Sequence, residues 1–276
     1  MYVGDDLSRS KLQFNGHEDI RTWLNNRRGL FPALHSLLAF AIYGVPILSG
    51  VQLGLNASVQ YWIGWFPWLV LSVPVLLVLS HMVHAIKQRP LFNAMLLSTV
   101  IPALIVILLG YMVLMPISGI SDRLMSSDCS TYTDKAYLND AYKAATRIWN
   151  DCLRREINQT GKPLEQIQLD LTIDQCEEYQ QALQSGTQWK HQWHYLRELE
   201  VNQVCSGWCY AGQESLWTTD HQPKDVCGAI VGGSILNGLI KREASRMLTT
   251  GLFALVMSLI SLIIVQEYMI RLGVEW

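Results

Sequence analysis

AMLLSTVIPALIVILLGYMVLMPIS, residues 94–118, contains no charged side chain. A helix crosses the ~30 Å hydrocarbon core of a bilayer with about 20 residues, so this run reads as a membrane span. Residues 31–53, 61–83 and 248–270 have the same character, with Glu267 as the one acid among them. Half of the 276 residues are hydrophobic and 16% are charged, against roughly 25% charged in soluble domains. The net charge of −2 gives no basic footprint for nucleic acid. The expected class is an all-α membrane protein with four transmembrane helices and a large loop between helices 3 and 4.

The runs divide the chain into 1–30, 31–120 (helices 1–3), 121–246 (the large loop) and 247–276 (helix 4 and a short tail). The polar, acidic opening MYVGDDLSRS lacks the basic and apolar regions of a cleaved leader, so the first run is expected to stay as an anchor. Arg9, Lys11, Arg21, Arg27 and Arg28 precede it, Lys87 and Arg89 lie in HAIKQRPLFN, and Arg271 follows the fourth run, whereas the first loop GLNASVQ has no cation. The positive-inside rule then places both termini in the cytoplasm and the large loop outside. Lys241, Arg242 and Arg246 oppose this, but they follow a long segment in which the rule is weak. The sequons at Asn56 and Asn158 both fall on the expected outer side.

Within the runs, Gly50-x-x-x-Gly54 and Ala254-x-x-x-Ser258 offer close helix contacts. Pro46, Pro67, Pro74, Pro102 and Pro116 are expected to kink or end helices. Glu267 lies one turn before Arg271, where a local ion pair accounts for it, as would a contact across the bundle. His35, His81 and His84 stand near the inner ends of spans one and two. They read as interfacial hydrogen-bonding groups or as ligands of a haem or pigment.

All six cysteines, Cys129, Cys152, Cys176, Cys205, Cys209 and Cys227, lie in the large loop. An even number confined to an outer segment points to disulfides. Cys205-Ser206-Gly207-Trp208-Cys209 fits neither zinc nor thioredoxin spacing, so its cysteines are expected to bridge to different partners. Tyr137, Ala141, Ala144, Ile148 and Cys152 form one helical row, and Trp189, Trp193, Leu196 and Glu200 another. Ile173, Cys176, Gln180 and Leu183 follow a weaker row, INQTGKPLEQ (157–166) reads as a turn, and a last Gly-rich helix from about Gly228 is expected to continue into span four. Cys152 and Cys176 flank that turn and are expected to pair. His191 and His194 are expected to face solvent. Of the tryptophans at 149, 189, 193, 208 and 217 most should be core; Trp208 and Trp217 are candidate interaction residues, and Trp208 is alternatively expected as core over the bridges. No nucleophile–base set, acid pair or phosphate loop stands out, so no enzyme is expected.

This layout resembles the tetraspanin family over essentially the whole chain. CSGWC stands where that family carries Cys-Cys-Gly, and PKDVC, Pro223–Cys227, resembles its Pro-x-x-Cys element. The separated cysteines are similar to those of divergent protist tetraspanin-like proteins. Three further cysteines precede the motif and juxtamembrane cysteines are missing, which departs from the typical pattern. The resemblance implies that Cys205 and Cys209 bond separately to partners drawn from Cys129 and Cys227. It further implies a non-enzymatic organiser of other integral membrane proteins at the plasma membrane or an endomembrane, with lipid or sterol between its helices. A fixed accessory subunit of a hetero-oligomeric complex, in an organelle membrane for example, is the alternative. A carrier of haem or pigment on His35, His81 and His84 is a third reading.

Overall fold

The computed structural model describes residues 30–87, 91–210, 213–219 and 225–271. The basic residues ahead of the first run, Arg89, and Pro223 of PKDVC lie outside the described residues, as does the side chain of Arg271. Every regular element described is helical. Four helices are long and apolar enough to cross a membrane: Ala33–Leu55, Phe66–Lys87, Phe92–Met125 and Cys227–Glu267. The last covers 41 residues and the third 34. At 1.5 Å per residue these reach roughly 60 and 50 Å, well beyond a ~30 Å hydrocarbon core.

The chain runs through α1 (Leu30–Leu55), α2 (Ala57–Trp62), a 3-10 turn (Phe66–Leu71), α3 (Ser72–Lys87), α4 (Phe92–Ser98) and α5 (Val100–Met125). The connecting segment then forms α6 (Thr133–Thr160), α7 (Leu164–Asp170), a 3-10 turn (Ile173–Gln175), α8 (Glu177–Ser185) and α9 (Lys190–Gln203). It returns through α10 (Cys227–Ile230), a π-helical stretch (Val231–Ile240) and α11 (Lys241–Arg271).

One of the boundaries read from hydropathy moves. The second apolar helix starts at Phe66, not at residue 61, because Gly64 takes a left-handed φ of 91° after α2. Tyr61 and Trp62 thereby join an aromatic cluster. The Gly-rich stretch is helical from Cys227 and continues into the fourth apolar helix, as expected from about Gly228. Proline acts unevenly. α4 and α5 break at Thr99, where Pro102 lacks the N–H that would bond Ser98 and its ring crowds that carbonyl. Helices continue through Pro46 and Pro116.

The chain divides into two compact units. Of the described residues, those up to Ser49, within Leu69–Leu109 and from Arg246 onward form one, and those within Gly50–Trp68 and Gly110–Ser245 form the other. In the first, Tyr43 donates its hydroxyl to the Thr99 carbonyl and also hydrogen-bonds Ser258, joining α1 to α11. Gly251 lets α11 meet α5. A Cβ there would lie 2.8 Å from Ile107 Cγ1 and 3.2 Å from the Ile107 backbone nitrogen.

In the second unit, the buried stripe of α6 is Leu138, Tyr142, Ala145, Trp149 and Leu153, with Ala141 and Cys152 beside it. The row expected from Tyr137 and Ile148 is about one residue off: Tyr137 is exposed and Ile148 half-buried. A one-residue slip turns a helix face by about 100°, since 3.6 residues make a turn. Small alanines at 141, 144 and 145 leave the apolar arc too broad to orient by pattern alone. α9 buries Trp193, Leu196 and Glu200 as its row requires. α6 ends at Gly161, whose left-handed φ of 63° favours glycine, and Lys162 and Pro163 complete the turn.

Candidate functional site

Three disulfides staple the connecting domain. Cys152 bonds Cys176, Cys129 bonds Cys209, and Cys205 bonds Cys227. Their Cα–Cα distances of 5.8, 6.1 and 5.0 Å lie in the range ordinary disulfides occupy. The two cysteines of CSGWC therefore bond to different partners, as the resemblance implied, and Cys152 pairs with Cys176 across the α6–α8 region.

CSGWC is held on both sides. Ser206 N donates to Asp225 O (3.3 Å), Cys227 N to Gly207 O (3.0 Å) and Gly228 N to Trp208 O (3.1 Å). Two glycines permit this. Gly207 has a φ of 65°, and a Cβ on Gly228 would stand 2.6 Å from the Trp208 carbonyl oxygen. Val204, just before Cys205, closes α9 with a φ of 55°. A β-branched residue there is strained.

Of the five tryptophans in the connecting domain, Trp149, Trp193, Trp208 and Trp217 are core and Trp189 is half-buried. Trp208 is fully buried, which bears out its expected core position and not a contact role, and Trp217 is 4% exposed, which corrects its assignment as an interaction residue. Each indole is buried because its N–H finds an acceptor inside. Trp208 donates to Lys135 O (3.0 Å), Trp217 to the Tyr179 hydroxyl (3.0 Å), Trp193 to Ala141 O (2.8 Å) and Trp149 to Leu171 O (3.2 Å). In the connecting domain, Tyr137, packed on Trp189, and Tyr210 are exposed.

α2 is built into the same core. Trp62 stacks on Trp208 with ring centroids 6.5 Å apart. It donates to the Tyr195 hydroxyl (3.0 Å), which donates to Ser58 Oγ (3.1 Å). Tyr61 stacks on Tyr195 (4.2 Å) and on His191 (5.3 Å). Burial raises the Tyr195 hydroxyl well above its ordinary range. His191 and His194 are exposed on α9.

Two buried charged groups complete the domain. The Lys135 ammonium donates to the carbonyls of Leu124 (2.9 Å) and Ser126, at the C-terminal end of α5. A cation there meets unpaired carbonyls and the negative end of the helix dipole. Glu200 accepts from the backbone of Trp217 (2.6 Å) and Thr218 (3.1 Å), and burial pushes its carboxyl up to about 7. Neither role was assigned from the sequence. Glu200 did carry a signal, an acid completing the apolar row of Trp189, Trp193 and Leu196.

Asn56 caps α2, its Oδ1 accepting from Ser58 N (3.0 Å) and Val59 N (3.3 Å). It is half-buried, and Ser58 of the same sequon is buried. Asn158 and Thr160 are exposed near the end of α6.

The three candidate histidines gather in the other unit. His35 Nε2 lies 2.8 Å from Ser98 Oγ, His81 Nδ1 2.7 Å from Ser36 Oγ, and His84 Nδ1 3.3 Å from Ser80 Oγ. The rings of His35 and His84 meet edge-on at 5.4 Å. They form an interhelical network linking α1, α3 and α4. Among the described residues, no three His, Cys, Asp or Glu side chains are arranged to hold a metal ion.

The fold and site thus define a four-helix chain of membrane-crossing length with a disulfide-stapled helical domain between helices 3 and 4. No family model, curated protein or solved structure matches it.

Proposed function

We propose that this is a tetraspanin-like, non-enzymatic membrane organiser that binds other integral membrane proteins laterally and through its outer domain. The observation that carries the reading is the separate bonding of Cys205 to Cys227 and Cys209 to Cys129, which makes CSGWC a hub joining the α5–α6 connection, the end of α9 and α10. A domain locked this way offers a rigid surface, so partners lose little conformational freedom on docking to it. In this reading both termini are cytoplasmic and the connecting domain is exoplasmic, at the plasma membrane or an endomembrane. The exposed Trp65 (62%), stacked on Phe66 at the start of the second apolar helix, supports membrane insertion, since tryptophan favours the headgroup level. Lipid or sterol would fill the grooves between the helices.

The test is mass spectrometry of crosslinked native membranes. A varied set of membrane proteins below equal stoichiometry is expected. One partner at fixed stoichiometry would replace the organiser with the accessory-subunit reading. The gathering of His35, His81 and His84 favours a third reading, a carrier of haem or pigment. Visible absorbance of the purified protein would establish that one, and a colourless protein would remove it.

A further inference from the structure

Glu200 stands on the buried face of α9 and is 1% exposed. Its Oε1 accepts the backbone N–H groups of Trp217 and Thr218, and the Leu216 backbone also interacts with the carboxyl. Its Oε2 is buried and has no hydrogen-bond partner. An interior carboxylate with one bare oxygen is costly as an anion and much less so with a proton.

The groups it holds belong to a strap, residues 213–219, without helix or strand. Ser206 Oγ donates to Gln213 O (2.7 Å) and the Tyr142 hydroxyl to Glu214 O (2.6 Å), while Leu216 O accepts from Ile173 N (2.7 Å). The Trp217 indole inserts between Tyr142 and Tyr179. Glu200 is the strap's link to α9.

Charged and titratable groups face Glu200 from each neighbouring element. Asp174, in the 3-10 turn, adds like charge but is itself paired with Arg197 of α9 (3.0 Å). α6 contributes Tyr142 and α8 contributes Tyr179. The strap contributes Glu214, whose Oε1 accepts from Gln168 of α7 (3.1 Å). Burial above all, and then Asp174, hold the Glu200 carboxyl near 7 against the pull of the backbone donors.

We propose that Glu200 and the 213–219 strap form an acid-strengthened latch, in which a proton on Oε2 tightens the strap onto α9 and loss of that proton loosens it. The sign follows from linkage. The closed strap holds its proton up to about 7, and the open strap, with Glu200 in water, only to about its ordinary 4.5. Closure therefore gains as pH falls through 7 and stops gaining below about 4.5. A domain passing from neutral fluid to a mildly acidic lumen would tighten at this edge. The latch does not depend on the organiser reading.

The test is hydrogen exchange of the full-length protein in phosphatidylcholine nanodiscs, followed by mass spectrometry and corrected for intrinsic exchange. Protection across 213–219 should rise about tenfold between pH 8 and pH 6, by the linkage of a carboxyl moving from about 4.5 to about 7. Glu200→Gln, a neutral isostere, should show high protection at both values. Equal wild-type protection at the two pH values overturns the latch, and so does an undiminished pH response in Glu200→Gln. Should that variant not fold, α6 peptides around 153–160 serve as the internal control. They should not respond, and a response equal to that of the strap also overturns the proposal.

Discussion

Trp208 donates its indole N–H to the backbone carbonyl of Lys135 at 3.0 Å. The same lysine caps the end of α5 through its ammonium, beside Leu124 and Ser126. One bond thus ties the centre of CSGWC to the residue that closes the third apolar helix. Trp208→Ala should destabilise the connecting domain by about 3–5 kcal/mol, the cost of removing a fully buried large aromatic. Trp208→Phe, which keeps a ring but loses the bond to the Lys135 carbonyl, should cost less, about 0.5–1.5 kcal/mol. Thermal unfolding followed by near-UV circular dichroism would rank the two, and equal losses would contradict the hydrogen-bond argument.

The disulfides close loops of very different length. Cys129 and Cys209 are 80 residues apart, Cys152 and Cys176 only 24. In the chain-entropy account the long loop is worth about 4.5 kcal/mol and the short one about 3.5 kcal/mol. Replacing Cys129 and Cys209 together with serine should lower the denaturation midpoint more than replacing Cys152 and Cys176. The reverse order would show that strain or residual denatured structure dominates.

Val204 sits at a φ of 55° immediately before Cys205. A left-handed residue with a Cβ carries a penalty of roughly 1–2 kcal/mol, which asparagine partly escapes. Val204→Asn should raise the unfolding temperature of the domain by a few degrees. A lowered value would mean that the half-buried valine contributes more by packing than it loses in backbone strain.

If the connecting domain faces outward, Asn158 should carry a glycan and Asn56 should not. Asn158 is exposed near the α6 terminus, whereas Asn56 directly follows the first apolar helix and is engaged in capping α2. Asn158→Gln should abolish the glycosidase-sensitive mobility shift. Asn56→Gln should leave the shift intact and cost about 1 kcal/mol through the lost cap. A shift that persists in Asn158→Gln would reverse the assignment.

Much of this architecture could be read along the chain. Four helices of membrane-crossing length follow from uninterrupted apolar runs, because burying each residue is largely an additive, local matter. The pairing of Cys152 with Cys176 was legible for a related reason: both flank one turn, which brings them together whatever the rest of the chain does. The α6 stripe was read one residue off, since clustered alanines mark no sharp edge to an apolar face.

Other features depend on segments distant in the chain and were decided only by packing. Nothing local to Cys205 or Cys209 says which of them takes Cys129, 80 residues before Cys209. Trp208 and Trp217 looked equally suited to a surface or a core until Lys135 and Tyr179 supplied acceptors for their N–H groups. Glu200 showed as an acid in an apolar row, but its bare Oε2 appears only when the 213–219 strap folds over α9. The sequence by itself determined the helices, their apolar spans and the oxidised character of the connecting domain, through periodicity and composition. Tertiary structure alone decided the disulfide partners of CSGWC, the burial of its tryptophan and the environment of Glu200, because each is a property of surfaces that meet only after the chain has folded.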